Sequence, residues 1–538
     1  MANIFKKAID RMMWVQSAPS PTVHAAAMSM AADMRNDSTR NPFVYSLHSN
    51  ALLNRYNVIT KAWQLVTTTP LTAGAFGAGS TSAFAPSFGA VGTIAAGATT
   101  TSVTLTTALP TAVGVNMLAN RGGSGELGFR LRIIDTVAGK TEERWIIGNT
   151  AGTTPTITLD AALSFTPATG ARYELLCGRL FMLGAGTTAA GIFRTFEPAS
   201  NTLSNRGTTS LPATIGTDSA MLVLDEQYVP YDHKPGEGMI KGGHDTDTAG
   251  GIRMAIVATG TAASTITGRA SGGDAVVAAN EFRNFQIRIV EDTLTPAAVG
   301  QRRIIASHTA GPSPVYTLGA AWTTTPSASA KFVIELPNLL VLRTSGVTTT
   351  YTYNYTDGTV NNGTNSIAAD AWSTTYFAAG PAANAAGNLW APGWGIQPDV
   401  ARNARHSFQY FFRGGAVTLD LFDIAGGTTG AWTGAIAYDG NVNIFGVGTT
   451  GCYSPFGQEG RFSYVNVYVS SAINQIYRFD ARNRVFSPYV PTDFIQSGGA
   501  ASGGRMAAYA AIDGTDRYDV VLLQSHLSAV SQELIPLV

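Results

Sequence analysis

Cysteine is scarce: Cys177 and Cys452 are the two in the chain, far apart in sequence. Neither spacing suits a disulfide framework or a metal-binding pair. The chain therefore reads as one made in a reducing cytoplasm, with both thiols acting as small apolar groups. Charge is scarce too. Asp, Glu, Lys and Arg make up 13% of residues, about half the usual globular share. Acids and bases balance at 35 each, which excludes whole-molecule attraction to DNA or to acidic membranes. Zero net charge also gives a free monomer little colloidal protection, a condition that a subunit held in an assembly tolerates. No run approaches the ~20 apolar residues that span a bilayer, so no membrane insertion is expected. Asp10 and Arg11 interrupt any apolar stretch behind Lys6 and Lys7, which argues against a signal peptide. A nucleophile elbow, a P-loop and a metalloprotease helix are all missing.

Small and β-branched residues take the place of charge. From Phe43 onward, short apolar runs alternate with Gly, Thr, Asn and Pro at the spacing of strands and turns, predicting an all-β chain. Residues 3–14 differ. Ile4, Phe5, Ala8, Ile9, Met12 and Met13 share one face at helical spacing, predicting a short amphipathic helix that Ser17 to Pro21 ends. Such a helix either packs on its own domain or docks on a neighbouring subunit. On the second reading Ile4, Phe5, Ile9 and Met13 bind the partner. Ala25 to Met34 is a second candidate helix.

One local signature recurs: an aromatic, an acid or amide, a turn, then a bulky residue seven positions after the aromatic. It appears as Tyr56-Asn57…Trp63, Phe196-Glu197…Leu203 and Phe479-Asp480…Phe486. Looser copies are Phe422-Asp423…Trp432 and Tyr355…Trp372. Gly-rich strands precede several, as in Leu180–Gly186 and Asn443–Gly448. Each unit reads as strand, capped turn and strand, with aromatics filling the space between stacked sheets. The pattern resembles the Kelch-like β-propellers, where a Gly-rich strand precedes a Tyr-Asp strand and a Trp follows.

A second repeat is closer in sequence. Phe129–Ile134 matches Phe285–Val290, and Arg144–Gly152 matches Arg302–Gly311 with one extra residue. Thr158-Leu159 matches Thr317-Leu318, Thr166-Pro167 matches Thr325-Pro326, and Tyr173–Leu176 matches Phe332–Glu335. Two copies of one module of about five strands are expected, a small barrel or sandwich, with Arg130 and Arg132 outward and Leu131 and Ile133 inward. Both interrupt the propeller-like series at loops, where insertions cost little. The remaining ~335 residues suit six or seven blades at ~40–50 each. The expected division is an N-terminal arm over 1–40, propeller segments over 41–91, 178–258 and 337–538, and modules over 92–177 and 259–336. The module is similar to small β-modules of tailed-bacteriophage virion proteins. That resemblance implies a structural protein of the virion, in the tail's neck, nozzle or baseplate, contacting other virion proteins and copies of itself. The alternatives are a head decoration protein, or a receptor-binding or glycan-degrading tail propeller with a host-surface glycan as partner.

Candidate chemistry is thin. Gly446-x-Gly448-x-x-Gly451 is followed by Cys452-Tyr-Ser-Pro455, which cannot open the helix that a dinucleotide site needs, so a turn is expected. Asp232, His233, His244, Asp245 and Asp247 are of metal-ligand type but sit in a Gly- and Lys-rich stretch that reads as an exposed loop. Cys452-Tyr453 lacks the histidines of a copper-radical site. Trp390 and Trp394 suit a packed loop better than a sugar platform. Arg402, Arg405 and Arg413, like Arg478, Arg482 and Arg484, read as solvated faces. No catalytic residue, cofactor or metal is expected.

Overall fold

The computed structural model describes residues 12–17, 19, 29–32, 42–48, 52–66, 76, 80–87, 89–119, 129–184, 193–206, 219–225, 256–268, 278–344, 346–381, 389–391, 408–413, 418–437, 450–453, 462–469, 473–480, 485–490, 505–513, 516–524 and 531–536. These residues are all-β apart from one short 3-10 turn, Pro296–Ala298.

Six four-stranded antiparallel sheets follow one another along the chain. Sheet I holds Met30–Ala32, Phe43–Leu47, Leu53–Asn57 and Ala62–Leu65. Sheet II holds Thr81–Ala85, Arg179–Leu183, Phe193–Glu197 and Thr202–Asn205. Sheet III holds Ala220–Leu224, Leu339–Arg343, Tyr351–Asn354 and Ala371–Ser373. Sheet IV holds Leu389–Ala391, Phe408–Phe412, Thr418–Asp423 and Ala431–Ala437. Sheet V holds Thr450–Tyr453, Phe462–Val469, Ile473–Asp480 and Val485–Val490. Sheet VI holds Arg505–Asp513, Asp516–Gln524, Ser531–Pro536 and, as its outer strand, Met12–Ser17. The first strand of each sheet lies beside the first strand of the next, and that of sheet VI lies beside that of sheet I, so the circuit closes.

The recurring aromatic signature is the third and fourth strand of each of sheets I to V. Tyr56 faces Trp63, Phe196 faces Leu203, Phe422 faces Trp432 and Phe479 faces Phe486 across the ladder. In sheet III the partner of Trp372 is Tyr353 rather than Tyr355. The amide or acid caps the intervening turn: Asn57 Oδ1 accepts the Ile59 and Thr60 N–H groups, and Asp423 Oδ1 accepts that of Ala425. Aromatics also join neighbouring sheets. Tyr45 of sheet I stacks on Phe84 of sheet II at 5.6 Å, and Phe193 of sheet II meets Tyr353 of sheet III edge-on at 4.9 Å, a favoured geometry.

The N-terminal segment departs from expectation. Met12–Ser17 is a strand, not the end of a helix, and pairs antiparallel with Ser531–Pro536. The run Met-Met-Trp-Val satisfies a strand as well as a helical face, and the edge of sheet VI supplies backbone partners that a lone helix lacks. Met30–Ala32, inside the second candidate helix, is likewise a strand, paired with Val44–Ser46 of sheet I.

The two repeats each have six strands, not five. They leave the ring at the same place, between first and second strands, in sheets II and III. In the first, Val91–Thr93, Arg172–Leu176, Arg130–Asp135, Lys140–Asn149, Thr156–Leu159 and Ser102–Thr104 are neighbours in that order. An Ile94–Leu105 bridge closes the circle. The second barrel has the same order: Ile256–Ala262, Lys331–Glu335, Gln286–Glu291, Arg302–His308, Val315–Leu318 and Thr265–Gly268, closing onto the first strand. Inside are Leu131, Ile133, Ile146 and Tyr173, or Ile287, Ile289, Ile305 and Phe332, all at 0% exposure.

The equivalences extend to side-chain hydrogen bonds. Asp135 caps Val137 and Ala138 and binds Ala168 N, as Asp292 caps Leu294 and Thr295 and binds Ser327 N. Arg144 grips Ala162 O as Arg303 grips Ala321 O. Arg144 thus matches Arg303, not Arg302. The extra residue of the second copy lies before this strand's arginine rather than after it, and every later pair on the strand shifts by one.

Candidate functional site

The seam between the barrels is where the chain concentrates buried charge. Lys140 of the first pairs with Glu291 of the second, so twelve strands run through both barrels as one continuous sheet. Gly139 O accepts the Asp292 N–H at 2.8 Å.

Glu174, on the first barrel, is the hub. Arg302 of the second barrel donates to it through Nη1 at 3.1 Å and Nη2 at 2.9 Å. Arg132 donates at 2.7 Å and Arg172 at 3.2 Å. Arg172 also reaches Asp357, between the third and fourth strands of sheet III, at 2.6 Å. Arg132 is 0% exposed and continues to Glu143 through Nε at 2.8 Å. Arg130 and Arg132 were expected to face solvent. Both are buried: Arg132 because it meets Glu174 at the seam and Glu143 beside it, and Arg130 because it pairs with Glu143 and lies over the Trp145 ring. Burial alone would raise the Glu174 carboxyl. The Arg302, Arg132 and Arg172 guanidinium groups outweigh it and hold that carboxyl well below the usual range. The second barrel has its own buried pair, Arg288 Nη2 to Glu335 Oε1 at 2.5 Å, with both side chains at 0% exposure.

Behind these pairs lies a cleft of about 390 Å³ between sheets II and III and both barrels, lined by Ser87, Arg172, Gln286, Arg303 and Asp357 among others. Each of its guanidinium groups makes ion pairs or hydrogen bonds: Arg302 with Glu174, Arg172 with Glu174 and Asp357, and Arg303 with Ala321 O, Arg302 O and Thr323 Oγ1. These contacts join the two barrels to each other and to sheet III. Among the described residues, no three His, Cys, Asp or Glu side chains gather as a metal site, and no helix is long and apolar enough to cross a membrane.

A second charged cluster ties the ring where it closes. Glu533 of sheet VI accepts from Lys61 at 2.8 Å, Tyr509 at 2.8 Å and Tyr56 at 3.1 Å, linking sheets VI and I.

The residues singled out from sequence fall elsewhere. Ile4, Phe5 and Ile9 lie outside the described residues, as do Asp232, His233, His244, Asp245, Asp247, Trp394, Arg402, Arg405, Arg482 and Arg484. Met13 sits opposite Ile535 in sheet VI. Thr450–Tyr453 is a strand, so no helix follows the glycine motif. Arg413 is paired with Asp420 at 2.6 Å. Glu174 and Arg302 escaped notice in the sequence. The available signal was Glu174 in a strand that is otherwise apolar from Tyr173 to Leu176; Arg302, beside Arg303 at the start of its strand, carried none.

Comparisons with known proteins add little. No family model matches the chain, and no curated protein does. Among solved structures, Sqt1 of Saccharomyces cerevisiae aligns at 9% identity and TM-score 0.30, over 97% of this chain and 100% of that one. An ulvan lyase, from a new family of polysaccharide lyase, aligns at 8% identity and TM-score 0.24, over 98% and 96%. Neither likeness is strong enough to carry an argument about fold or activity.

Proposed function

We propose that this chain is a non-catalytic structural subunit of a tailed-bacteriophage particle, acting in the tail through contacts with neighbouring subunits. We read the ring as a six-bladed β-propeller carrying two barrels. Six successive four-stranded sheets, a closed circuit of first strands and an N-terminal strand that completes the last sheet support that architecture, which manages its sheet edges by radial closure. One observation carries the functional reading: two copies of one barrel leave equivalent turns of adjacent sheets and are locked side by side by Glu174–Arg302 and Gly139–Asp292. Locking two projecting domains together makes a rigid double platform, as repeated subunit contacts require. The phage setting rests on the resemblance of the module to virion β-modules.

The test is mass spectrometry of purified particles from a phage encoding the chain, alongside assays of the isolated protein on polysaccharides. Multiple copies per particle and no turnover are expected. Absence from the particle, or turnover, would overturn the proposal.

A further inference from the structure

His308 of the second barrel and Asn149 of the first do the same job. Asn149 pairs with Ile157 and His308 with Tyr316 at matching places in the ladders. In the first barrel, Asn149 Oδ1 accepts the Leu118 N–H at 2.8 Å. Asn116 returns two bonds, its Oδ1 accepting from Asn149 N and its N donating to Asn149 O. In the second, His308 Nε2 accepts the Phe282 N–H at 2.9 Å, and Asn280 returns the same two bonds. Asn116 and Asn280 both take left-handed backbone, at φ 56° and 60°. One position thus holds a turn through an amide in one barrel and an imidazole in the other.

The imidazole can hold it in one protonation state. A backbone N–H can only donate, so Nε2 must present its lone pair. Nδ1, 2.9 Å from Thr309 O, then carries the hydrogen. An imidazolium has hydrogens on both nitrogens and would set one against the Phe282 N–H. The ring is 4% exposed, stacked on Phe282 at 5.7 Å and tilted against Tyr316 at 5.2 Å, so it cannot swing into solvent while the turn stays closed. Among neighbouring titratable groups, Arg283 on the turn repels added positive charge and Glu281 is engaged with Ala278 N. Burial, with Arg283, outweighs the Thr309 carbonyl's pull toward the charged ring and favours the neutral form.

The turn reaches the ring of sheets. Asn284, two residues past Phe282 and 0% exposed, donates from Nδ2 to Ile424 O at 2.7 Å, at the end of the third strand of sheet IV.

We propose that the second barrel carries an acid-operated latch: protonation of His308 breaks its bond to Phe282, opens the 278–285 turn and releases the Asn284 contact to sheet IV. The sign follows from linkage. The closed state holds His308 with a pKa below its ordinary ~6.5, so the opened state binds the proton more readily. Latch stability is complete above about pH 6.5 and falls as pH drops below it. The first barrel, with Asn149, has no such dependence.

The test is amide hydrogen exchange on the full chain at pH 7.5 and pH 5.0, corrected for the intrinsic pH dependence of exchange. The Phe282 and Asn284 amides should lose protection several-fold at pH 5.0, with a ceiling of about thirtyfold set by the fall of pH below the ordinary imidazole pKa, while the Leu118 amide keeps its own. In His308→Asn, both turns should behave as the first does. Because the two turns are compared within one molecule, the wild type alone decides the matter if that variant fails to fold. Equal retention at both turns, equal loss at both, or a pH response that persists in His308→Asn would overturn the latch.

Discussion

Arg302 of the second barrel meets Glu174 of the first through two nitrogens, at 3.1 and 2.9 Å, in a group that Arg132 and Arg172 complete. The two partners are not equivalent. Glu174→Gln takes from Arg132, 0% exposed, one of its two carboxylate partners among the described residues, and should cost about 3–5 kcal/mol. Arg302→Gln leaves Glu174 still compensated and should cost less than half as much. Chemical denaturation of both variants checks the order. The Glu174 contribution should be intact above its ordinary pKa, about 4.5, and fade as pH falls below it, because its folded-state pKa is depressed.

The Arg288–Glu335 pair lies wholly inside the second barrel's wall. Arg288→Met alone should cost about 3–5 kcal/mol, because it removes the guanidinium that neutralises the buried Glu335 carboxylate and leaves the Gln286 amide beside it. Arg288→Met with Glu335→Leu should recover most of that loss or exceed wild-type stability. Denaturation midpoints of the two variants test this. A double mutant no better than the single would contradict it.

Gly139 sits where the barrels touch. Its φ is 69°, and a Cβ there would stand 2.3 Å from Asp292 O. Gly97 has a similar φ of 85° with nothing near it. Gly97→Ala should cost only the left-handed backbone penalty, about 1–2 kcal/mol. Gly139→Ala adds overpacking of about 1–3 kcal/mol and should speed proteolysis between the barrels. Equal effects of the two substitutions would show that the barrels do not meet at this point.

Ring closure has a covalent test. Ser17 and Ser531 are register partners in sheet VI. Ser17→Cys with Ser531→Cys should form a disulfide on oxidation and stabilise the chain by about 2–4 kcal/mol. Failure to cross-link would place the N-terminal strand elsewhere.

The sheets were legible because their signature is local. Tyr56…Trp63 and Phe479…Phe486 span one turn, so an aromatic, a capping residue and a facing bulky residue appear in order along the chain. The barrels were legible through duplication. The N-terminal strand was not, because its partners lie at the other end of the chain and the apolar residues at 4–13 also fit a helix. The seam was hidden for a related reason. Alternation around Arg130 and Arg132 marks two faces of a strand, but it does not say that a second barrel covers the polar one. The one-residue shift that aligns Arg144 with Arg303 is visible in the ladders and in the matching carbonyl contacts, whereas in sequence Arg-x-Ile-Ile favours Arg302.

On the proposed function, the locked pair of barrels is a contact platform within a particle. An electron-microscopy map of the particle containing this chain is the decisive measurement. The chain is expected in the tail, in repeated copies, with the outer surfaces of both barrels buried against neighbouring subunits. Barrels standing free in solvent, with contacts made only by the ring of sheets, would contradict it.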